Sequence, residues 1–164
     1  MKAEVFFLKY AFPCSFIIKE RRQIDEKTFH LLRDAALNNK APDKPLLEKV
    51  YFRAFEKIKM VSKEMKKDKW DLAVLREYFL KRHNRIIDNG MFAYKNAPES
   101  QKRLCKIHIA EIAEDKGDCF IVQYRENNRK NKKSTRVVLK ELVPDAKIGD
   151  RVTIHYGYAV EKIS

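Results

Sequence analysis

The chain has 164 residues, 45% of them hydrophobic and 11% aromatic, a composition too apolar for a disordered polypeptide and sufficient for one domain or two small ones. Its 36 basic residues against 23 acidic ones leave a net charge of +13, which favours contact with nucleic acid, an anionic surface or an acidic partner. No apolar run approaches the roughly 20 residues of a membrane span, the amino end shows no clear cleavage site, and three widely spaced cysteines form neither a disulfide framework nor a CxxC zinc pair, so a soluble cytoplasmic protein is expected.

In chain order, the opening "EVFFLKYAFP" reads as a short helix or a strand ended by Pro13. "DEKTFHLLRDAALNN" fits a helix capped by Asp25, with Phe29, Leu32 and Ala36 facing inward. "APDKPLLEKVYFRAFEKIKMVSKEM" places Asp43 as an N-cap and Pro45 in the first turn. Its apolar stripe of Leu47, Val50, Tyr51, Ala54, Phe55, Ile58 and Val61 predicts one long amphipathic helix. "DKWDLAVLREYFLKRHNRIIDNG" repeats the pattern with Leu72, Leu75, Tyr78, Phe79 and Ile86, and Asn89-Gly90 supplies a left-handed stop. "MFAYKNAPESQKR", with Pro98 and a polar run, reads as a linker between a helical domain at 1–98 and a second domain at 104–164.

Beyond residue 104 the apolar residues alternate. "CKIHIAEIAE", "CFIVQY", "TRVVLKEL", "RVTIHY" and "YAVEKI" are short strands separated by turn signals, which suggests a small barrel of OB or SH3-like size. Gly149-Asp150 suits the turn before the fourth strand, and Gly157 suits a bulge or sharp bend before the fifth. The expected fold class is therefore α+β: an N-terminal helical domain followed by a five-stranded OB-like β-barrel.

The closing stretch "LVPDAKIGDRVTIHYGYAVEKI" resembles the carboxyl-terminal half of the HypC/HupF hydrogenase-assembly chaperone family. The matching positions are Leu142, Val143, Pro144, Gly149, Asp150, His155, Gly157, Tyr158, Ala159, Val160 and Glu161, and "IAEI" at 109–112 is similar to the family's first strand. The resemblance implies a five-stranded barrel that meets a protein partner through His155, Tyr158 and Cys105. It also implies a part in assembling the iron centre of nickel–iron hydrogenases, with Cys105 the thiol nearest the family's metal-handling cysteine. The family carries that cysteine at its very amino terminus, before Ala-Ile-Pro; here Cys105 follows a helical domain and "KIH" comes after it. The second departure is the connection after the second strand, which swells into "RENNRKNKKSTR".

His155 stands among Val152, Ile154 and Tyr156, where a lone strand histidine is usually a satisfied structural residue. Cys105 and His108, three apart, would lie on opposite faces if that stretch were a strand, with Cys105 an open thiol at its start. Arg125, Arg129, Lys130, Lys132, Lys133 and Arg136 form the densest basic run, which reads either as a solvated loop or as a grip on phosphates or an acidic partner. Tyr124, Tyr156, Tyr158 and Phe120 serve equally as stacking aromatics or as barrel core. Neither a glycine-rich phosphate loop, a nucleophile elbow nor a metal-spaced His/Cys set occurs, so no enzyme is expected and no cofactor beyond the iron that the resemblance implies. The leading expectation is a chaperone-like accessory protein with a protein partner; the alternative is an RNA- or DNA-binding protein using the basic hairpin.

Overall fold

A computed structural model of the chain describes residues 1–126 and 132–163. The chain divides after Phe92 into two compact units, Met1–Phe92 and Ala93–Ser164. None of the helices among the described residues is long and apolar enough to cross a membrane.

The first unit is helical. Its opening is a helix, α1 (Ala3–Ala11), followed by a single tight turn at Phe12–Cys14 and by α2 (Ser15–Glu20). Pro13 does not end the structure but starts the next turn, where its missing N–H costs nothing. α3 (Glu26–Leu37) begins where the Asp25 carboxylate accepts from the Thr28 N–H at 2.7 Å. α4 (Lys44–Val50) begins likewise at Asp43, which accepts from the Leu46 N–H.

The stripe that predicts one long helix is divided at Tyr51, whose φ of −102° and ψ of 36° separate α4 from α5 (Phe52–Met65). The interruption accompanies a tertiary contact. Tyr51 is buried with its ring edge-on to Phe7, and its hydroxyl lies 2.7 Å from that of Ser15. Burial pushes the Tyr51 hydroxyl well above the usual tyrosine range, although the Ser15 hydrogen bond opposes this. α6 (Leu72–Glu77) and α7 (His83–Asp88) are joined through a wider π-turn at Tyr78–Arg82. Aromatic rings fill the core: Phe7 lies 4.8 Å from Phe55, 5.4 Å from Trp70 and 5.9 Å from Phe79.

The second unit opens within a tight 3-10 turn, Phe92–Asn96, which carries Tyr94, and continues into α8 (Glu99–Cys105), where sequence reading expects a linker and then a strand. Its signals are present but faint: Pro98 at the cap, Glu99 in the first turn, and Lys102 and Arg103 in the last. Then come β1 (His108–Asp115), β2 (Cys119–Arg125), β3 (Lys133–Leu139), β4 (Arg151–His155) and β5 (Tyr158–Ile163). They close into a barrel in the order β1-β2-β3-β5-β4. Strand alternation sends Ala110, Ile112, Phe120, Val122, Tyr124, Val138, Val152 and Ile154 into its core. Every pairing is antiparallel except that of β3 with β5, a parallel seam of one residue pair, Leu139 with Tyr158.

The turn before β4 uses Gly149 at a φ of +88°, as its sequence suggests. The bend between β4 and β5 is also present, with a different residue carrying the left-handed backbone. Tyr156 has a φ of 49°, while Gly157 does not occupy that region. The bulge falls within β5 instead, where Thr153 pairs with Glu161 and Ile154 with Ala159, leaving Val160 as the extra residue.

Candidate functional site

The starts of β1 and β3, the ends of β2 and β4, and the Tyr156-Gly157 turn lie at one end of the barrel, together with the last turn of α8. The last carbonyls of a helix have no partner within it. Here the Leu104 carbonyl accepts from the Tyr156 N–H at 2.9 Å, which fixes the end of α8 against the residue after His155. Consequently Cys105, the final residue of α8, has its Sγ 3.9 Å from His155 Nε2. The hydroxyl of Tyr94 lies 3.1 Å from the same sulfur. Cys105 is 3% exposed and His155 1%, so the thiol is a buried one at a helix end and not an open one at a strand's start.

Arg136 holds this arrangement together. It projects from β3, and its guanidinium donates to the Tyr156 carbonyl at 3.2 Å, the Arg103 carbonyl at 3.3 Å and the Tyr124 hydroxyl at 3.0 Å. It also lies 5.0 Å from the centre of the Tyr124 ring. One cation therefore ties the left-handed turn, the negative end of α8 and the barrel core, a role that its position in a basic run does not announce. His108, buried at the start of β1, lies with its ring centre 4.6 Å from that of Tyr124, tilted by 34°.

The remaining sequence candidates separate. Tyr158 is buried and sits at the β3–β5 seam, paired with both His155 and Leu139. Arg125 and Lys133 are exposed and face each other directly across β2 and β3, with exposed Lys132 beside them. Arg129 and Lys130 lie outside the described residues. Phe120 and Tyr124 are core residues, whereas Tyr156 is only half-buried. Sequence reading singles out Cys105 and His155 separately but gives no sign of their meeting, and it passes over Tyr94 altogether. No local pattern points to Tyr94; only the fold brings it to the sulfur.

Chemically, the pair sets a soft sulfur donor beside an imidazole nitrogen. Two such ligands on one tetrahedral ion, at about 2.3 Å and about 2.0–2.1 Å, stand about 3.6 Å apart, so the observed separation needs little contraction to fit a metal ion. A comparison with protein-family models, curated proteins and solved structures finds no match for the chain.

Proposed function

We propose that the chain is a non-enzymatic accessory protein of metalloenzyme maturation, nickel–iron hydrogenase assembly foremost, in which an OB-like barrel meets a protein partner and Cys105 with His155 holds the metal as cargo. The observation that carries this reading is the 3.9 Å approach of Cys105 Sγ to His155 Nε2. These are two residues that the HypC/HupF resemblance marks, fifty positions apart in the chain. The strand order and the parallel β3–β5 seam support the OB-like description.

Iron is the metal that the resemblance implies, and thiolate with imidazole is a donor set suited to it. The residues have separate tasks. Cys105 supplies the sulfur, and His155 supplies Nε2 from the end of β4. The Leu104–Tyr156 hydrogen bond and Arg136 keep the two in register, and burial excludes water from them. To test this, the reduced full-length chain is incubated with ferrous iron without oxygen and then desalted. About one equivalent should remain on the parent and be lost from both Cys105→Ser and His155→Gln, because each removes one donor. Iron that is not retained, or retained equally by Cys105→Ser, sinks the reading.

The nucleic-acid alternative draws on the Arg125–Lys133 pair and Lys132. Against it, an oligonucleotide surface also needs exposed aromatic platforms, and of the four candidate rings Phe120, Tyr124 and Tyr158 are buried and only Tyr156 is half-open.

A further inference from the structure

The barrel closes between β3 and β5 through Leu139 and Tyr158 alone, with the Leu139 N–H donating to the Gly157 carbonyl at 2.7 Å. In a strand, the backbone groups of alternate residues point to the same side. Because those of Leu139 point towards β5, those of Val137, Thr135 and Lys133 point the same way. There, among the described residues, no strand pairs with them. β3 is thus paired along its full length on the β2 side and presents a bare ladder on the other.

The side chains flanking that ladder are exposed. Val137 is 61% exposed, and Thr135 and Lys133 are also open to solvent. Ile121, half-buried, lies directly across from Val137 on the same outer face. Ile109 precedes Ala110, the partner of Tyr124, and so lies beside Arg125; it is 51% exposed. Arg125 and Lys133 stand opposite each other across β2 and β3, so this end of the edge carries two exposed basic side chains beside exposed Lys132.

We propose that the Lys133–Val137 edge of β3 is a docking site for an extended acidic segment of a partner protein, which joins the sheet as an added strand. This rests on the partner-binding reading above and names the partner's chemistry. Backbone pairing to the open ladder supplies the affinity. Lys133, Lys132 and Arg125 select carboxylates, while Val137 and Ile121 receive apolar side chains at alternate positions. The net charge of +13 works against pairing with a second copy and for an acidic strand. Arg136, on the inward side of β3, ties this strand to the turn after His155, so an occupied edge would bear directly on the Cys105–His155 end.

The test uses the full-length chain and three fluorescent peptides, read by anisotropy at low salt, with an oligothymidylate of similar length as a fourth probe. The peptides alternate Glu with Val, alternate Lys with Val, or alternate Glu with Val and carry an N-methyl group on every amide, so that neither strand edge can donate. The Glu–Val peptide should bind. The N-methylated one should bind at least about tenfold more weakly, because it has no backbone donor left for the open ladder. The double variant Lys132→Glu, Lys133→Glu should also weaken the Glu–Val peptide about tenfold. The inference is overturned if the N-methylated or Lys–Val peptide binds as tightly, or if none binds. Equal binding of the N-methylated peptide would mean charge without strand pairing, and equal binding of the Lys–Val peptide would mean pairing without selection of carboxylates. Binding of none would leave the lysines only as guards against self-association of the edge. Tighter binding of oligothymidylate, or a chain that dimerises and ignores peptide, also overturns it. Iron retention measured on the same preparations separates the two proposals. Retained iron without peptide binding removes the edge alone, whereas lost iron with oligothymidylate binding removes the maturation reading as well.

Discussion

The two ends of the barrel are built on opposite principles. At one end, between β1 and β2 and before β4, carboxylates tie the turns. Asp115 accepts from Lys140 at 3.0 Å through both oxygens and from the Gly117 N–H at 2.9 Å. Asp150 pairs with Lys162 at 2.7 Å and accepts from the Lys147 N–H at 2.8 Å. At the other end stand a thiol, two buried imidazoles, a left-handed tyrosine and two cations face to face. The first end is what a small sheet needs to stay folded. The second accepts backbone strain and buried polar groups, each unfavourable for folding by itself. Such features persist where something other than stability selects them.

The largest effect should come from the residue that holds the second end together. Arg136→Met removes three hydrogen bonds from a charged donor and leaves the Tyr156 and Arg103 carbonyls without it, so a loss of about 2–3 kcal/mol is expected in chemical denaturation. A variant as stable as the parent would show that the arrangement stands without its staple.

Acid should act on the opposite end. Asp115 is held below the usual carboxylate range chiefly by the Gly117 N–H and then by Lys140. Asp150 is held down first by Lys162 and then by the Lys147 N–H. A carboxyl with a lower pKa folded than unfolded contributes stability above its unfolded value, ~4, and loses it as pH falls through the folded one. The melting temperature should therefore decline below ~pH 4, and less steeply in Lys140→Met, which has less to lose. Parallel declines in parent and variant would remove Lys140 from the account. At neutral pH the same substitution should cost only the small difference between the two acid declines, since exposed pairs contribute little.

The smallest effect sharpens the comparison most. Tyr156→Gly relieves a left-handed backbone that tyrosine adopts with strain, and this offsets the freedom glycine gains in the unfolded chain. Stability should stay within about 1 kcal/mol of the parent. A drop well beyond that would make Tyr156 a structural residue, and the strain argument for this end would fail.

The β half is legible in sequence because barrel strands alternate in short runs. "YAVEKI" and "CFIVQY" fall almost residue for residue on β5 and β2. The break at Tyr51 is not legible, because the apolar stripe runs through it with helical period. What interrupts the helix coincides with a contact to Ser15, thirty-six residues earlier. α8 is hidden by its polar composition. Its boundary decides the site, since a strand through Cys105 would place the thiol differently from a helix end docked on Tyr156. Charge density groups Arg136 with the basic loop, whereas strand register turns it inward, opposite core residue Val122. Residue types at the site can thus be nominated from sequence, but their assembly depends on pairings that no local pattern encodes.

The one-pair seam between β3 and β5 also bears on how the barrel fluctuates. Separating β1 from β2, or β2 from β3, breaks a whole ladder, whereas parting β3 from β5 breaks one residue pair and the Leu139–Gly157 hydrogen bond. Deuterium should therefore reach the Leu139 amide through brief local openings, while the amides of Ile121 and Val122 wait for global unfolding. During such an opening the wall would uncurl into a sheet still joined at its four other interfaces, momentarily exposing the inner faces of Val138 and Phe120 while the ladders remain in place.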